Sequence, residues 1–296
     1  MSTWRQLTLA LGSLDAERVE EALIEAGALS VTLDDAGDEP LYEPDPLKPP
    51  LWHETRLTAL FAADADLDAV RAFLLASLAL ERLPEHHVET LEDRDWVREW
   101  LKDFKPMRFG RRLWVCPTGF TPPDPKGVNL LLDPGLAFGT GTHATTALCL
   151  EWLDGADLTG ASVIDYGCGS GILAIAAVRL GAKSVHAVDH DPQALTATRD
   201  NALRNGVEHH IRVSPPDALP DIHADVLLAN ILAGPLVSLA PRFARRLRTG
   251  GRLVLSGILD TQEQDLRQAY AAHFESFETV KREDWLRITA IRRSEN

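Results

Sequence analysis

The stretch Val163-Ile164-Asp165-Tyr166-Gly167-Cys168-Gly169-Ser170-Gly171, followed by the apolar run Ile172 to Leu180, narrows the possible folds more than any other part of the chain. A short β-branched pair enters a loop with glycine at every second position, and an Ala/Ile/Leu-rich helix leaves it. This pattern predicts a strand–loop–helix crossover in which backbone comes close to a ligand, because glycine lacks a Cβ and accepts positive φ. Eighteen residues past Gly171 stands Asp189, at the end of a second apolar strand, Val185 to Val188. An acid at the tip of the second strand is where a Rossmann-like site holds the two hydroxyls of a ribose. The loop reads G-x-G-x-G, not the G-x-G-x-x-G that seats a pyrophosphate on a helix N-terminus. The expected ligand is therefore an adenosine without a diphosphate, which points to S-adenosylmethionine.

At 296 residues the chain has room for two domains. Residues 1–92 read as βαββαβ: strands at Trp4–Leu11, Leu29–Leu33, Arg56–Phe61 and His87–Leu91, with helices after Ser13 and over Leu67–Leu78. That order predicts a small ferredoxin-like α+β domain of the kind that holds partners more often than it carries chemistry. The segment Asp34 to Pro50 is acidic and proline-rich and reads as a loop. Residues 93–106 follow as a linker helix, with Trp96, Val97, Trp100, Leu101 and Phe104 at helical spacing. Residues 107–296 alternate strands with helices: they open on a strand over Met107–Pro117, include a helix over Leu236–Leu247 ended by Gly250-Gly251, and close on a hairpin, Phe277–Lys281 with Trp285–Ile291. This predicts a doubly wound, mostly parallel, seven-stranded Rossmann-like α/β sheet finished by an antiparallel edge.

Charge is unevenly placed. Residues 1–100 hold 8 Lys and Arg against 22 Asp and Glu, the whole of the net −14, whereas residues 101–296 hold 22 of each. A negative first domain repels a phosphate backbone and attracts cationic partners, so no direct binding to nucleic acid is expected. Cys116, Cys149 and Cys168 form no C-x-x-C pair, which suits reduced thiols and no zinc site. With no apolar N-terminal core and no run of about 18 apolar residues, a cytoplasmic protein without a membrane span is expected.

In an open α/β sheet, ligands sit beyond the carboxyl ends of the strands, where strand order reverses. Gly167 and Gly169 are expected to lie along the methionine part of the cofactor, and Asp189 on its ribose. Asn230 ends the apolar strand Val226 to Ala229, so its amide emerges at that edge, able to accept from an amine and to donate to the cofactor. It is the expected catalytic residue. The loop Gly139-Thr140-Gly141-Thr142-His143 precedes a helix starting near Thr145-Thr146, whose free N–H groups and hydroxyls suit the cofactor carboxylate. His143 is either a structural hydrogen-bonder or a direct participant, and Asp217 is a weaker candidate for the adenine amino group. No metal-ligand spacing is present.

With these residues assembled, the chain resembles the methyltransferase family that modifies ribosomal protein eleven of the bacterial large subunit. The resemblance spans nearly the whole chain and is most specific in Asp133 to Thr146 (DPGLAFGTGTHATT), Val163 to Gly171 (VIDYGCGSG) and Asn230 to Pro235 (NILAGP). It implies cofactor contacts at Thr146, Gly167, Asp189 and Asn230. It also implies methylation, up to the trimethyl state, of lysine ε-amines and the N-terminal α-amine of that protein, free before assembly and recognised by the first domain. The family often has proline where this chain has Ala144. Alternatives are a methyltransferase of glutamine side chains or bases, disfavoured because Leu232 and Ala233 supply no stacking aromatic after Asn230-Ile231, and a non-catalytic ribosome-assembly factor. Ribosomal proteins are basic, so the acidic first domain suggests charge steering. Reversing several acids within residues 15–45 should lower kcat/KM at low salt, and an unchanged kcat/KM across that series would rule steering out.

Overall fold

The computed structural model describes residues 3–37, 54–92, 105–132 and 143–294. The chain divides into two compact units, Met1–Glu99 and Trp100–Asn296. The expected helix over 93–104, most of the acidic loop and the glycine-threonine loop up to Thr142 lie outside the described residues.

The first unit runs β1 (Thr3–Ala10), α1 (Ala16–Glu25), β2 (Ser30–Asp35), β3 (Thr55–Ala62), α2 (Leu67–Ser77) and β4 (His86–Glu92). Its sheet has the order β2-β3-β1-β4 with every pairing antiparallel. Alternation puts Leu7 and Leu9 of β1 and Leu57, Ala59 and Phe61 of β3 on one face. There they bury Val19 and Leu23 of α1 and Val70 and Leu74 of α2. The cap of α1 is not Ser13 but Asp15, whose carboxylate accepts the Arg18 N–H at 3.0 Å. A carboxylate there also meets the positive end of the helix dipole, which a hydroxyl does less well.

The second unit opens with a small sheet of β5 (Met107–Phe109), β6 (Leu113–Cys116) and β7 (Val128–Leu131), in that order. The single strand expected over Met107 to Pro117 is a hairpin instead, turning at Gly110 with φ +65°. It is pinned by Asp154, near the end of α3 (Ala144–Gly155), whose buried carboxylate accepts the Arg111 N–H at 2.6 Å and Arg112 Nε at 3.3 Å. A Cβ on Gly110 would stand 2.4 Å from that carboxylate, so the turn and its anchor require one another.

The main sheet follows: β8 (Ser162–Tyr166), α4 (Ile172–Arg179), β9 (Ser184–Val188), α5 (Pro192–Arg204), β10 (Ile211–Ser214), β11 (Ala224–Asn230), α6 (Ala233–Arg246), β12 (Leu247–Leu259), α7 (Glu263–Tyr270), β13 (Phe274–Arg282) and β14 (Trp285–Arg292). Its order is β10-β9-β8-β11-β12-β14-β13. Strands β8 to β12 pair in parallel; β14 runs antiparallel to both neighbours. The expected antiparallel edge is thus an antiparallel strand one place in from the edge, and the sheet is mixed. Val226 and Leu228 face α3, α4 and α5, whereas Leu227 and Ala229 face α6 and α7. Both faces are covered, which is why β11 reads as an unbroken apolar run. Gly250-Gly251 does not end α6: that helix stops at Arg246, and the glycines sit in β12, where the register jumps from Ala224–Leu247 to Val226–Arg252. No helix among the described residues is long and apolar enough to cross a membrane.

Replacing Asp154 with Ala should orphan the Arg111 N–H and cost about 1–3 kcal/mol of stability. Denaturant unfolding checks this, and a midpoint equal to the wild type would show the hairpin to be held by other contacts.

Candidate active site

Strand order reverses between β8 and β11, and the predicted residues gather at the carboxyl ends of those strands and of β9. Leaving β8, Gly167 takes φ +82° and donates its N–H to the Val188 carbonyl at 2.7 Å. Gly169 donates its N–H to Asp189 Oδ2 at 2.9 Å, and Gly171 begins α4. The predicted glycines and the predicted acid are therefore one hydrogen-bonded unit. Asp189 is 8% exposed, and its Oδ1 also accepts the Asp191 N–H at 3.0 Å. His190 Nδ1 also lies 3.5 Å from Oδ1, whereas Oδ2 has two acceptor sites and keeps one for a ribose hydroxyl.

Two residues of α5 that were not singled out in the sequence clamp this loop from behind. Thr198 Oγ1 donates to the Gly169 carbonyl at 3.0 Å, and Asn201 Nδ2 donates to the Ser170 carbonyl at 2.8 Å. Both are buried, at helical spacing on the face turned to the loop. Polar residues at i and i+3 on an otherwise apolar helix face were the available signal.

Across the site stands the N-terminus of α3. His143 is its cap: Nδ1 lies 2.7 Å from Thr145 Oγ1 and accepts the Thr145 N–H at 3.4 Å. Its ring meets Trp285 edge-on, centroids 4.9 Å apart. The imidazole thus fills the structural role of the two weighed for it. Ala144 takes the first helical position, where proline is favoured but not needed. Thr145 and Thr146 are buried in the first turn, and Thr146 Oγ1 accepts from Asn230 Nδ2 at 3.3 Å. Among the described residues, no donor reaches Asn230 Oδ1. The β13–β14 hairpin holds α3 from outside, through Arg282 on Glu151 at 2.8 Å and Arg287 on the Leu148 carbonyl at 3.0 Å. Asp217 is exposed on a short turn, Pro216–Ala218, and makes no contact that ties it to this cluster.

Comparison with known proteins bears on the same residues. The family model described as Ribosomal protein L11 methyltransferase (PrmA) matches residues 3–293. The chain belongs to that family. It is 57% identical over 293 residues to the ribosomal protein L11 methyltransferase of Pseudomonas paraeruginosa (strain DSM 24068 / PA7), covering 99% of each chain. It is 55% identical over 294 residues to that of Azotobacter vinelandii (strain DJ / ATCC BAA-1303), covering 98% of this chain and 99% of the relative. A crystal structure of ribosomal protein L11 methylase from Lactobacillus delbrueckii subsp. bulgaricus matches with a TM-score of 0.60 and 34% identity, over 64% of this chain and all of the other. The chain is an S-adenosylmethionine-dependent methyltransferase.

In this L11 methyltransferase family member, one further group sits behind the glycine loop. Asp165, two residues before Gly167, is wholly buried; its Oδ2 accepts the Ala174 N–H at 3.0 Å, and its Oδ1 has no hydrogen-bond partner among the described residues. Burial pushes its carboxyl up to about 7; the Ala174 N–H opposes the rise and the Asp189 charge adds to it. Burial also pushes the Cys149 thiol up to about 12 and raises that of Cys168, so neither is a thiolate nucleophile. Below about pH 4, Asp165 is protonated in folded and unfolded chains alike. Between there and about 7 the unfolded chain loses the proton that the folded one keeps, so stability falls as pH rises. Relative to Asp165→Asn, the ligand-free wild type should lose stability across that window and no more above it. Urea titrations at stepped pH check this, and a constant difference between the two proteins would refute it.

Proposed function

We propose that this enzyme transfers methyl groups from S-adenosylmethionine to lysine ε-amines and the N-terminal α-amine of ribosomal protein L11, up to the trimethyl state, with Asn230 orienting the attacking nitrogen. The observation that carries this is the Asn230–Thr146 hydrogen bond. It ties the end of β11 to the start of α3 and turns the amide oxygen into an acceptor at the rim.

The residues fit the cofactor. The buried Asp189 carboxylate, bonded to the Gly169 and Asp191 N–H groups beside the glycine loop, suits the ribose hydroxyls of the ligand. Gly167, Gly169 and Asp189 would hold its methionine and ribose parts, and Thr145 and Thr146 at the positive end of α3 its carboxylate. When bound, the cofactor supplies an electrophilic methyl group on a sulfonium, taken by an amine lone pair as the carbon–sulfur bond breaks.

The protein's task is to present that lone pair. At the reference pKa of about 10.4, only about one lysine in 2,500 is neutral at pH 7. Withdrawal from water favours the neutral amine, and the proton leaves to solvent before attack. Asn230 Oδ1 then accepts one remaining N–H and aims the nitrogen along the line of displacement. No side-chain base is required. An aliphatic nitrogen is also what the site favours on shape, since Leu232, beside Asn230-Ile231, is half exposed and offers no planar stacking surface.

The remaining assignments extend this reading. Residues 107–296 are the class I methyltransferase domain, residues 93–106 a linker helix and residues 1–92 the substrate-recognition domain. The βαββαβ order with strands β2-β3-β1-β4 supports calling that domain ferredoxin-like. Its surplus acid supports a basic protein substrate, met free in the cytoplasm before assembly, with no direct contact to nucleic acid.

Incubation with S-adenosylmethionine and recombinant L11, followed by mass spectrometry, tests the activity: mono-, di- and trimethylated lysines and N-terminus are the expected products. Asn230→Ala should lower kcat more than about tenfold, through loss of orientation. Near-normal kcat would remove the residue from the mechanism.

A further inference from the structure

Beyond Asn230 the chain passes between two glycines of neighbouring strands. The β11–β12 register pairs Asn230 with Ser256, so the next step sets Ile231 opposite Gly257. Gly257 has no partner on the other side, because the β12–β14 register skips from Ser256–Arg287 to Ile258–Leu286. It is a bulge residue with φ +83°, bent toward the end of β11. A Cβ there would lie 2.3 Å from the Ile231 carbonyl oxygen, 2.8 Å from its carbon and 3.2 Å from its nitrogen. These are backbone atoms, which no rotamer change can move aside. On the opposite flank, a Cβ on Gly167 would lie 2.2 Å from Ile231 Cγ2.

We propose that Gly257 is a positioning residue for methyl transfer: with Gly167 it forms a slot that fixes the Asn230–Ile231 peptide, and through it the acceptor that faces the target nitrogen. The inference rests on the reading that this rim receives the methyl-accepting amine. It goes beyond it in assigning a role to a residue 27 positions from Asn230 that touches neither cofactor nor substrate. Side chains at the end of a strand ordinarily have freedom to swing, and a displacement of about 1 Å is enough to cost large factors in rate. Two glycines pressing on one residue remove that freedom without contributing any functional group.

Gly250 provides the control. It lies in the same strand with φ +74°, yet a Cβ on it would meet nothing within 4 Å. Gly250→Ala and Gly257→Ala therefore share the backbone penalty for a left-handed alanine, and only the second pushes on Ile231. The experiment measures kcat, KM for L11, cofactor affinity by calorimetry and thermal stability for both, alone and combined with Asn230→Ala. Gly257→Ala should lower kcat roughly tenfold to a hundredfold with cofactor affinity within about threefold of wild type. Gly250→Ala should lose stability and keep its kcat. Added to Asn230→Ala, Gly257→Ala should cost little more, because both act on one segment.

An unchanged kcat in Gly257→Ala, equal losses in both glycine variants, losses that multiply in the double variant, or a collapse of cofactor binding would each overturn the slot. If Gly257→Ala does not fold, Ile231→Ala takes its place in the cycle, since it empties the Gly167 side of the slot without adding atoms. Its kcat should fall with cofactor affinity retained, and a normal kcat overturns the proposal. Wild-type protein that methylates nothing would instead fail the functional reading itself. Normal turnover in Asn230→Ala would also overturn the slot, which acts through that amide.

Discussion

The bond from the Gly169 N–H to the Asp189 carboxylate organises everything around the site. It closes the loop after β8 onto the end of β9, while the Val188 carbonyl takes the Gly167 and Cys168 N–H groups. Thr198 and Asn201 then hold the loop carbonyls from the helix behind. The N–H groups of Gly167, Cys168, Gly169 and Gly171 and the carbonyls of Cys168, Gly169 and Ser170 are thereby paired within the protein, and the bend is set before any ligand arrives. Preorganisation of this sort spares binding the cost of ordering a loop.

The loop is also electrically tense. Asp165 and Asp189 are both withdrawn from water, one with an oxygen that nothing among the described residues satisfies. A native protein keeps such a group only where something offsets its cost, and Asp165 lowers that cost by holding its proton up to about pH 7. The same burial that raises the Asp165 carboxyl silences Cys168 next to the loop glycines, so acid and thiol serve recognition and packing, not nucleophilic chemistry.

Much of this was legible in the residues. The glycine spacing, the acid after β9 and the Asn after the apolar β11 are local patterns with direct physical meaning, and the structure gathers all three at one rim. What escaped reading was non-local. The hairpin over Met107–Cys116 was taken for one strand because its turn is fixed by Asp154, more than forty residues on. Gly250-Gly251 looked like a helix stop because glycine pairs usually are, yet here they make a bulge whose partner is β11. Thr198, Asn201 and Gly257 carry no motif at all, and their meaning appears only once the loop and Ile231 are seen against them. Ser13 lost the cap of α1 to Asp15 by two residues, the usual margin at helix ends.

The last strand along the chain is an interior one. β14 lies between β12 and β13, and its Trp285 and Arg287 brace the outer side of α3, whose inner side packs on α4 and the central strands. Loss of the last hairpin would therefore leave the glycine loop in place and take away one brace of the wall opposite it.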